Sequence, residues 1–150
     1  MRNPIRFMVV ALAAILLQSC VVADGDRWGY CGRDVRLQVV DLDMSPDPIA
    51  DGQRVRAWRV TLRADDRTRC ETILQIRERP GNEVAGREKV YRLRAGTNEI
   101  EIEPSEAYRF SRDEHCFVVI ANIEGTGSPI DAGRRFCARQ MSGRRWTLRN

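Results

Sequence analysis

The sequence predicts an all-β fold, an antiparallel β-sandwich of about seven to nine strands with two disulfides. Three observations favour this class. Apolar residues recur at every second position in one segment after another, as they do in half-buried strands. Proline, glycine, asparagine and aspartate, the residues of tight turns, separate these segments. Beyond one cysteine near the amino terminus, an even number of cysteines is available for pairing.

The composition is that of one globular domain. The chain has 150 residues, of which 43% are hydrophobic and 31% are charged, and its formal net charge is +4. These values exclude two large domains, a repeat array, a disordered chain and a protein with several membrane spans. A domain of this size buries about two-thirds of the surface of its unfolded chain, which is enough for a single hydrophobic core.

The predicted strands follow one another from residue 35 onward. In the first, Val35, Leu37 and Val39 occupy alternate positions, and in a later one Ile100 and Ile102 alternate with glutamates. Residues 116–121 are apolar on both faces, which predicts a central strand that is covered on each side. The other strand segments are residues 58–63, 74–77, 91–94, 135–140 and 146–148.

Turn residues mark the ends of these strands. Pro80 and Gly81 fit the two central positions of a type II turn, because glycine accepts a positive φ there. Turns spaced about 8–12 residues apart are typical of antiparallel sandwiches. The predicted breaks lie at residues 45–48, 65–66, 80–82, 95–96 and 125–129.

Two segments resemble a known fold. Residues 91–100 resemble the strand, glycine turn and strand near the middle of immunoglobulin-like modules of the fibronectin type III and bacterial cell-adhesion-related kind. Residues 116–122, followed by residues 125–129, resemble the last hairpin of these modules. The resemblance covers residues 34–140 and implies an immunoglobulin-like sandwich. Because this fold hosts many unrelated functions, it does not by itself imply one.

The amino terminus has the features of a bacterial export signal. Residues 1–6 hold two arginines and no acid, and an apolar run over residues 7–17 follows. A helical run of that length reaches only about half of a bilayer core, so it is too short for a stable span. It ends in Leu17-Gln18-Ser19-Cys20, which resembles the lipobox of bacterial lipoproteins.

The lipobox resemblance implies a cleaved signal peptide at residues 1–19 and a tether over residues 20–33, with the sandwich at residues 34–150. Cys20 would carry a diacylglycerol and an amide-linked acyl chain such as palmitate, which together hold a protein on a membrane almost permanently. In lipoproteins of diderm bacteria, an aspartate after the lipidated cysteine tends to retain the protein at the inner membrane. Val21 and Val22 follow here, so the resemblance implies the outer membrane, facing the periplasm.

The remaining four cysteines predict two disulfides in an oxidising compartment, and four cysteines allow three pairings. Cys116 and Cys137 are equidistant from the glycine-rich segment at residues 125–127, so they would face each other across a hairpin. If the first two strands pair about the turn at residues 46–52, Cys31 comes near Cys70. We therefore predict the pairs Cys31–Cys70 and Cys116–Cys137.

No catalytic group, metal or cofactor is expected, so the chain is predicted not to be an enzyme. Nucleophilic catalysis needs a base within reach of a serine, cysteine or threonine, and His115 is the sole histidine. The sequence has no C-x-x-C motif of the kind that binds zinc. Asp41 and Asp43 begin like a calcium loop, but Pro46 stands where that loop needs glycine and Gly52 where it needs a bidentate acid.

The carboxyl-terminal arginines are the candidate binding residues. Residues 134–150 hold six arginines and no acid. Such a charge attracts anions, and arginine suits bidentate contacts with phosphate or carboxylate. The alternative is that these are outward residues of edge strands, where charge prevents edge-to-edge pairing. The six are Arg134, Arg135, Arg139, Arg144, Arg145 and Arg149.

These observations favour a non-enzymatic, lipid-anchored protein of the cell envelope that binds or scaffolds another envelope protein. A second hypothesis is a binding module for anionic glycan or lipid, such as peptidoglycan or lipopolysaccharide, through the basic carboxyl-terminal face. A third is an inhibitor of a hydrolase. Nucleic acid is not expected as a partner in the periplasm. Trp28 and Tyr30 are interpreted as covering one end of the sandwich, with a position at the membrane interface as the alternative.

Overall fold

The computed structural model describes residues 28–123 and 126–149. The predicted signal peptide, Cys20 and the tether up to residue 27 lie outside the described residues. Most of the described chain is antiparallel β-structure with two disulfides, so the predicted fold class is confirmed. Across these two ranges, no helix is long and apolar enough to cross a membrane.

Eight strands form one hydrogen-bonded sheet. They are β1 (Leu37–Ser45), β2 (Ile49–Ala50), β3 (Ala57–Arg79), β4 (Val84–Ile102), β5 (Glu114–Ile123), β6 (Thr126–Pro129), β7 (Phe136–Met141) and β8 (Arg145–Arg149). A 3₁₀ turn, Ile130–Gly133, joins β6 to β7. The strand order is β1-β3-β5-β7-β8-β2, with β4 also paired to β3 and β6 also paired to β5.

The long hairpin of β3 and β4 organises the fold. β3 has 23 residues and β4 has 19, and the two strands pair with each other over most of their length. A straight strand of 23 residues would measure about 75 Å, about twice the diameter of a domain of this size, so the hairpin has to bend. The pairing register shifts between Ala64 and Arg69, and Gly96, opposite Ala64, has a φ of 86°. The hairpin folds over at this corner.

The predicted breaks at residues 65–66 and 95–96 are wrong as strand ends, because they form this corner within continuous strands. Polar side chains form local hydrogen bonds at the bend. Asn98 accepts a hydrogen bond from the Arg94 N–H at 2.9 Å and donates one to the Arg94 carbonyl at 2.8 Å. On β3, the Asp65 carboxylate accepts from the Thr68 hydroxyl at 2.5 Å. The turn residues therefore mark the corner, while cross-strand pairing keeps both strands continuous.

The other end of the hairpin is the turn at residues 80–83. The predicted positive φ at Gly81 is wrong, since the residue with positive φ is Asn82, at 60°. The Glu78 N–H donates to the Glu83 carbonyl at 2.8 Å, and this closure places the left-handed conformation one residue later than predicted. Asparagine tolerates that region because its short polar side chain can bond locally.

The sheet curves round to enclose the core. The bend at the corner brings the two ends of β4 together, so that Gly86 forms a bridge with Pro104 just after the strand. At the other side, β2 pairs with β8 through Ile49 and Trp146. Only three residues separate β1 from β2, yet the two strands stand at opposite ends of the strand order. This connection is possible only if the sheet closes on itself.

The folded hairpin belongs to both layers of the sandwich. The first half of β3 pairs with β1 and its second half pairs with β5. Apart from Asp66 at the corner, the even-numbered residues of β3 are buried in both halves. Trp58, in the first half, packs against Phe117 of β5 with ring centroids 4.8 Å apart. The two halves therefore share one core.

β5 is a central strand, as its apolar run predicts. It pairs with β3 on one side and with β6 and β7 on the other. Both of its faces are covered between residues 117 and 121. The buried residues on the core face are Phe117, Val119 and Ala121, and those on the opposite face are Val118 and Ile120.

Both predicted disulfides are confirmed, and strand register explains them. Cys116 and Cys137 are directly opposite each other in β5 and β7, with Cα atoms 4.0 Å apart. The Cys31 N–H donates to the Glu71 carbonyl at 2.8 Å, which brings Cys31 beside Cys70. The predicted simple hairpin between Cys116 and Cys137 is interrupted, because β5 pairs first with β6 and the 3₁₀ turn then leads into β7.

We predict that Gly86→Ala lowers the free energy of unfolding by about 1–3 kcal/mol. A Cβ at this position would lie 3.0 Å from Ile76 Cβ and 3.0 Å from Ile102 Cγ2, and both isoleucines are fully buried. Chemical denaturation measures the change. Gly81→Ala is the control, because nothing lies within 4 Å of a Cβ at that position. Equal destabilisation of the two variants would contradict the explanation.

Candidate functional site

A groove of about 680 Å³ opens where the start of β1 passes the corner of the β3–β4 hairpin. One wall is the chain at residues 35–38, and the other is formed by β6 and the 3₁₀ turn. Because the sheet curves here, residues distant in sequence share one concave surface. We call it the β1 groove. Its apolar lining residues are Val35, Leu37, Ala64, Ala121, Pro129 and Ile130.

The rim of the β1 groove carries charges of both signs. The Asp65 carboxylate is fixed in place, because it accepts hydrogen bonds from the Thr68 hydroxyl and, at 3.3 Å, from the Arg36 N–H. These two bonds hold the pKa of Asp65 below its usual value, so the carboxylate is ionised at neutral pH. The charged lining residues are Arg36, Arg63, Asp65, Asp66 and Asp131.

The lining of the β1 groove combines apolar and charged side chains. Its lining contains one hydroxyl, that of Ser128, and no histidine, cysteine or lysine. Within the described chain, the Ser128 hydroxyl makes no hydrogen bond to a carboxylate or an imidazole that could act as its base. An apolar floor with a charged rim suits the recognition of an extended peptide or a small molecule.

A buried polar cluster lies near the end of β3, and the sequence analysis missed it. Glu78, 1% exposed, accepts a hydrogen bond from the Tyr108 hydroxyl at 3.0 Å. Its other carboxylate oxygen lies 2.8 Å from His115 Nδ1 and also accepts a hydrogen bond from the Arg112 guanidinium. Tyr108 and His115 are buried as well. The cluster ties the connection between β4 and β5 to the end of β3.

The hydrogen bonds of His115 define its tautomer. Nε2 accepts the backbone N–H groups of Ser111 and Arg112, both at 3.0 Å, so the proton lies on Nδ1 and is donated toward Glu78. Burial lowers the pKa of His115, although the Glu78 carboxylate acts in the opposite direction. Burial also raises the pKa of Tyr108. Since both ring nitrogens are engaged inside the protein, this histidine is not placed to take a proton from a substrate.

The sequence contains a signal for part of this cluster. Glu78 occupies an inward position of β3, and the inward residues before it, Leu74 and Ile76, are fully buried and apolar. A charged residue in such a position predicts a buried partner, because an unpaired charge is costly to bury. Its partners Tyr108 and His115 are 30 and 37 residues away, so alternation alone does not identify them.

The carboxyl-terminal arginines do not form one site. Arg134 turns back toward β1, where its guanidinium donates to the Val39 carbonyl at 2.7 Å. Arg144 stands in the turn before β8 and pairs with Asp51 at 2.9 Å. Both side chains therefore bind other groups of the same domain.

Three of the six arginines share the outer face of β7 and β8. Arg149 is opposite Cys137, and Arg145 is opposite the exposed Met141. Arg139 lies between Cys137 and Met141 on the same face of β7, so it is a diagonal neighbour of both arginines of β8. Arg139 pairs with Glu114 of β5 at 2.6 Å. Arg135 is exposed just before β7. The structure thus brings Arg139, Arg145 and Arg149 together and separates them from Arg134 and Arg144.

Two groups of side chains contain residue types that can bind metals. Asp41 and Asp43, which begin like a calcium loop in sequence, lie within the extended strand β1. In residues 28–123 and 126–149, the ligand atoms of Glu114, Cys116 and Cys137 lie within 4.8 Å of one another. The two sulfurs are bonded to each other, so neither is a thiolate that could bind a metal.

Comparisons of the chain with protein-family models, curated proteins and solved structures found no match. The function is therefore inferred from the residues and geometry of this chain. The β1 groove is the feature with the clearest binding chemistry.

We predict that the free energy of unfolding falls as the pH drops from about 7 to about 5. The pKa of His115 is lowered on folding from its ordinary value of 6.5, so the unfolded chain binds this proton more readily. The stabilisation is fully present above pH 6.5 and is lost as the pH falls toward the lowered pKa of the folded state.

Urea denaturation at a series of pH values measures this slope. The chain has one histidine, so His115→Gln should flatten the slope between pH about 7 and about 5. If the variant keeps the slope of the unsubstituted chain, the assignment to His115 is wrong.

Proposed function

We propose that this chain is a non-enzymatic, lipid-anchored protein of the bacterial outer membrane, facing the periplasm, and that it holds an extended segment of another envelope protein in the β1 groove. The observation that carries this proposal is the apolar floor of the groove beside an open strand edge. Within the described chain, β1 pairs with β3 alone, so its second edge has no strand partner.

The open edge of β1 is short at the groove. The Arg134 guanidinium donates a hydrogen bond to the Val39 carbonyl, so this carbonyl already has a partner. The register of β1 then shifts at Val40. The start of the strand, Leu37 and Gln38, lines the groove. An added strand can hydrogen-bond to such an edge, and its alternate side chains then contact the neighbouring floor. The edge supplies affinity for any extended segment, and the floor selects apolar side chains.

The charged rim supports a protein partner over a purely anionic ligand. Two guanidinium groups, from Arg36 and Arg63, face three carboxylates, and the Asp65 carboxylate is fixed by its hydrogen bonds. A polyanion would be repelled by these carboxylates. A peptide with charges of both signs can complement the rim, and its binding depends only weakly on salt.

The attachment to the membrane is proposed from the lipobox resemblance at residues 17–20. Trp28, where the described chain begins, is eight positions after Cys20. A short tether keeps the domain close to the bilayer and raises its effective concentration for other envelope components. The proposed function is therefore to bind a partner at the membrane.

One observation favours the second hypothesis, a module for anionic glycan or lipid. Arg139, Arg145 and Arg149 share one outer face of β7 and β8. Of the three, Arg139 has an ion-pair partner within the described chain, Glu114. Binding through this face would fall steeply with salt and would not involve the β1 groove.

Replacing Cys20 tests the anchor. We predict that Cys20→Ala abolishes acylation, because the thiol that receives the lipid is removed, and that the protein no longer fractionates with the outer membrane after a high-salt wash. Mass spectrometry of the amino-terminal peptide measures acylation. Gln18→Ala is the control, since it changes the variable lipobox position and should leave acylation intact. Retention of the Cys20→Ala protein in the washed outer membrane would show that the anchor assignment is wrong.

Filling the β1 groove tests the binding site. We predict that a photo-crosslinking residue at Gln38 captures one envelope protein in cells, and that Ser128→Tyr abolishes this adduct because a large side chain then occupies the groove. Ser128 is exposed, so the melting temperature should not change. Ser128→Ala is the matched control and should keep the adduct.

A crosslinking residue at Glu83, exposed in the turn at the end of the β3–β4 hairpin away from the corner, should give no such adduct. Persistence of the Gln38 adduct in Ser128→Tyr would contradict binding in the groove. Loss of the adduct with rising salt, together with its loss in an Arg139→Gln, Arg145→Gln double variant, would favour the anion hypothesis.

A further inference from the structure

A basic and aromatic patch lies on the outer face of the second half of the β3–β4 hairpin. The Cζ atoms of Arg69, Arg92 and Arg94 lie 5.2, 5.4 and 5.6 Å from the centroid of the Trp28 ring. The prediction that Tyr30 covers an end of the sandwich is wrong, because this side chain is 73% exposed. We call this surface the Trp28 patch. It comprises Trp28, Tyr30, Arg69, Val90, Arg92 and Arg94.

The pairing of β3 with β4 creates the patch. Arg69 is directly opposite Arg94, and Arg92 is opposite Glu71, with which it pairs at 2.9 Å. Like charges that stand opposite each other across two strands repel and destabilise the pairing. Contact with the Trp28 ring compensates part of this cost. The pairing therefore gathers three guanidinium groups around one aromatic ring, and guanidinium groups suit the oxygens of a phosphate.

The patch also offers apolar and interfacial side chains beside the guanidinium groups. Val90 lies two residues before Arg92 on the same outward face of β4 and is 47% exposed. Tyr30 is bridged to Glu71 and therefore stands next to the arginine ladder. Tryptophan and tyrosine are enriched at membrane–water interfaces, and arginine binds phosphate through two parallel hydrogen bonds. A soluble anion would use the arginines but not the exposed valine and tyrosine.

We propose that the Trp28 patch binds the phosphate headgroups of the anionic membrane in which Cys20 is anchored. This inference rests on the proposed lipid anchor for its location. The eight residues from Cys20 to Trp28 span at most about 29 Å, so an anchored domain cannot move far from the bilayer. The patch begins at Trp28, the first described residue, so a lipid anchor at Cys20 would keep it close to the bilayer.

The charge on the opposite layer agrees with this orientation. The outer face of the first half of the hairpin and of β1 carries a groove with four carboxylates and one guanidinium. Because the hairpin folds over, this face and the Trp28 patch point away from each other. An anionic surface attracts one and repels the other. The four acids are Asp41, Asp43, Glu99 and Glu101, and the base is Arg59.

A soluble form separates the patch from the anchor. Both disulfides and the described core lie within residues 28–149, so the chain from residue 20 onward with Cys20→Ser keeps the folded domain and carries no lipid. We expect it to bind vesicles of phosphatidylcholine with phosphatidylglycerol and not vesicles of phosphatidylcholine alone. Trp58 and Trp146 are 0% and 2% exposed, so a shift in tryptophan emission on binding reports Trp28, and Trp28→Phe should remove it.

Two double variants with the same change in net charge locate the site. Arg69→Gln with Arg94→Gln should weaken vesicle binding about 25-fold, since each arginine near an anionic surface contributes about a factor of five. Arg54→Gln with Arg56→Gln changes two exposed arginines just before β3 begins, at the end of its first half that is distant from the corner. This variant should bind vesicles within about two-fold of the unsubstituted domain. Melting temperatures check that both variants are folded.

Equal weakening by the two double variants would overturn the proposal, because net charge and not the patch would then govern binding. Equal binding to neutral and anionic vesicles would also overturn it, as would a loss that occurs with Arg139→Gln and Arg145→Gln instead. None of these outcomes bears on the anchor, since the soluble form has no lipid. Conversely, if the Cys20→Ala protein stayed in the washed outer membrane, the proposed lipid anchor would be wrong. The vesicle result would still stand, because it is measured on the form without lipid.

Discussion

The fold of the β3–β4 hairpin at its corner is the constraint on which the rest of the structure depends. Because the even-numbered residues of β3 face inward on both sides of the corner, the hairpin closes on its apolar face and Trp58 reaches Phe117 of the opposite layer. The bend disturbs backbone pairing, and the Asn98 side chain satisfies the N–H and the carbonyl of Arg94 beside the corner. Both the β1 groove and the Trp28 patch adjoin this corner. The two candidate surfaces therefore arise from the same local departure from regular pairing.

The parts of this structure that depend on alternation and register were predictable from the sequence. The strands and both disulfides belong to this class. Turn residues at 65–66 and 95–96 located the corner, but they did not show that both strands continue through it. The pairing with the partner strand decides whether hydrogen bonding continues through a bend. The six arginines that are neighbours in sequence separate in space, since Arg134 reaches back to β1 and Arg144 lies in a turn facing Asp51. Such contacts depend on where distant segments lie, and local patterns do not encode that.

The Glu78 cluster closes the end of the core away from the corner. Burying a carboxylate is costly, and donors from Tyr108, Arg112 and His115 offset the loss of water around it. Trp146 donates its Nε1–H to the Arg112 carbonyl at 2.7 Å, so the same loop is also tied to β8. The titrating histidine is thus built into the interior. The β1 groove instead carries the Asp65 carboxylate, whose pKa is lowered by its hydrogen bonds, so moderate acidification weakens the scaffold before it changes the charge of the groove at Asp65.

The arrangement of the two surfaces limits what a partner can be. If the proposed signal peptide is removed, Arg2 and Arg6 are lost and the net charge is 23 − 21 = +2, so the segregation of charge matters more than its sum. Arg63 of the β1 groove and Arg69 of the Trp28 patch are six residues apart on one strand, which is at most about 20 Å. If the patch rests on lipid headgroups, the groove opens close to the membrane surface. A partner segment that reaches it then has to come from a protein that is itself held at the bilayer, and the shared location of the two proteins lowers the affinity that the groove has to supply.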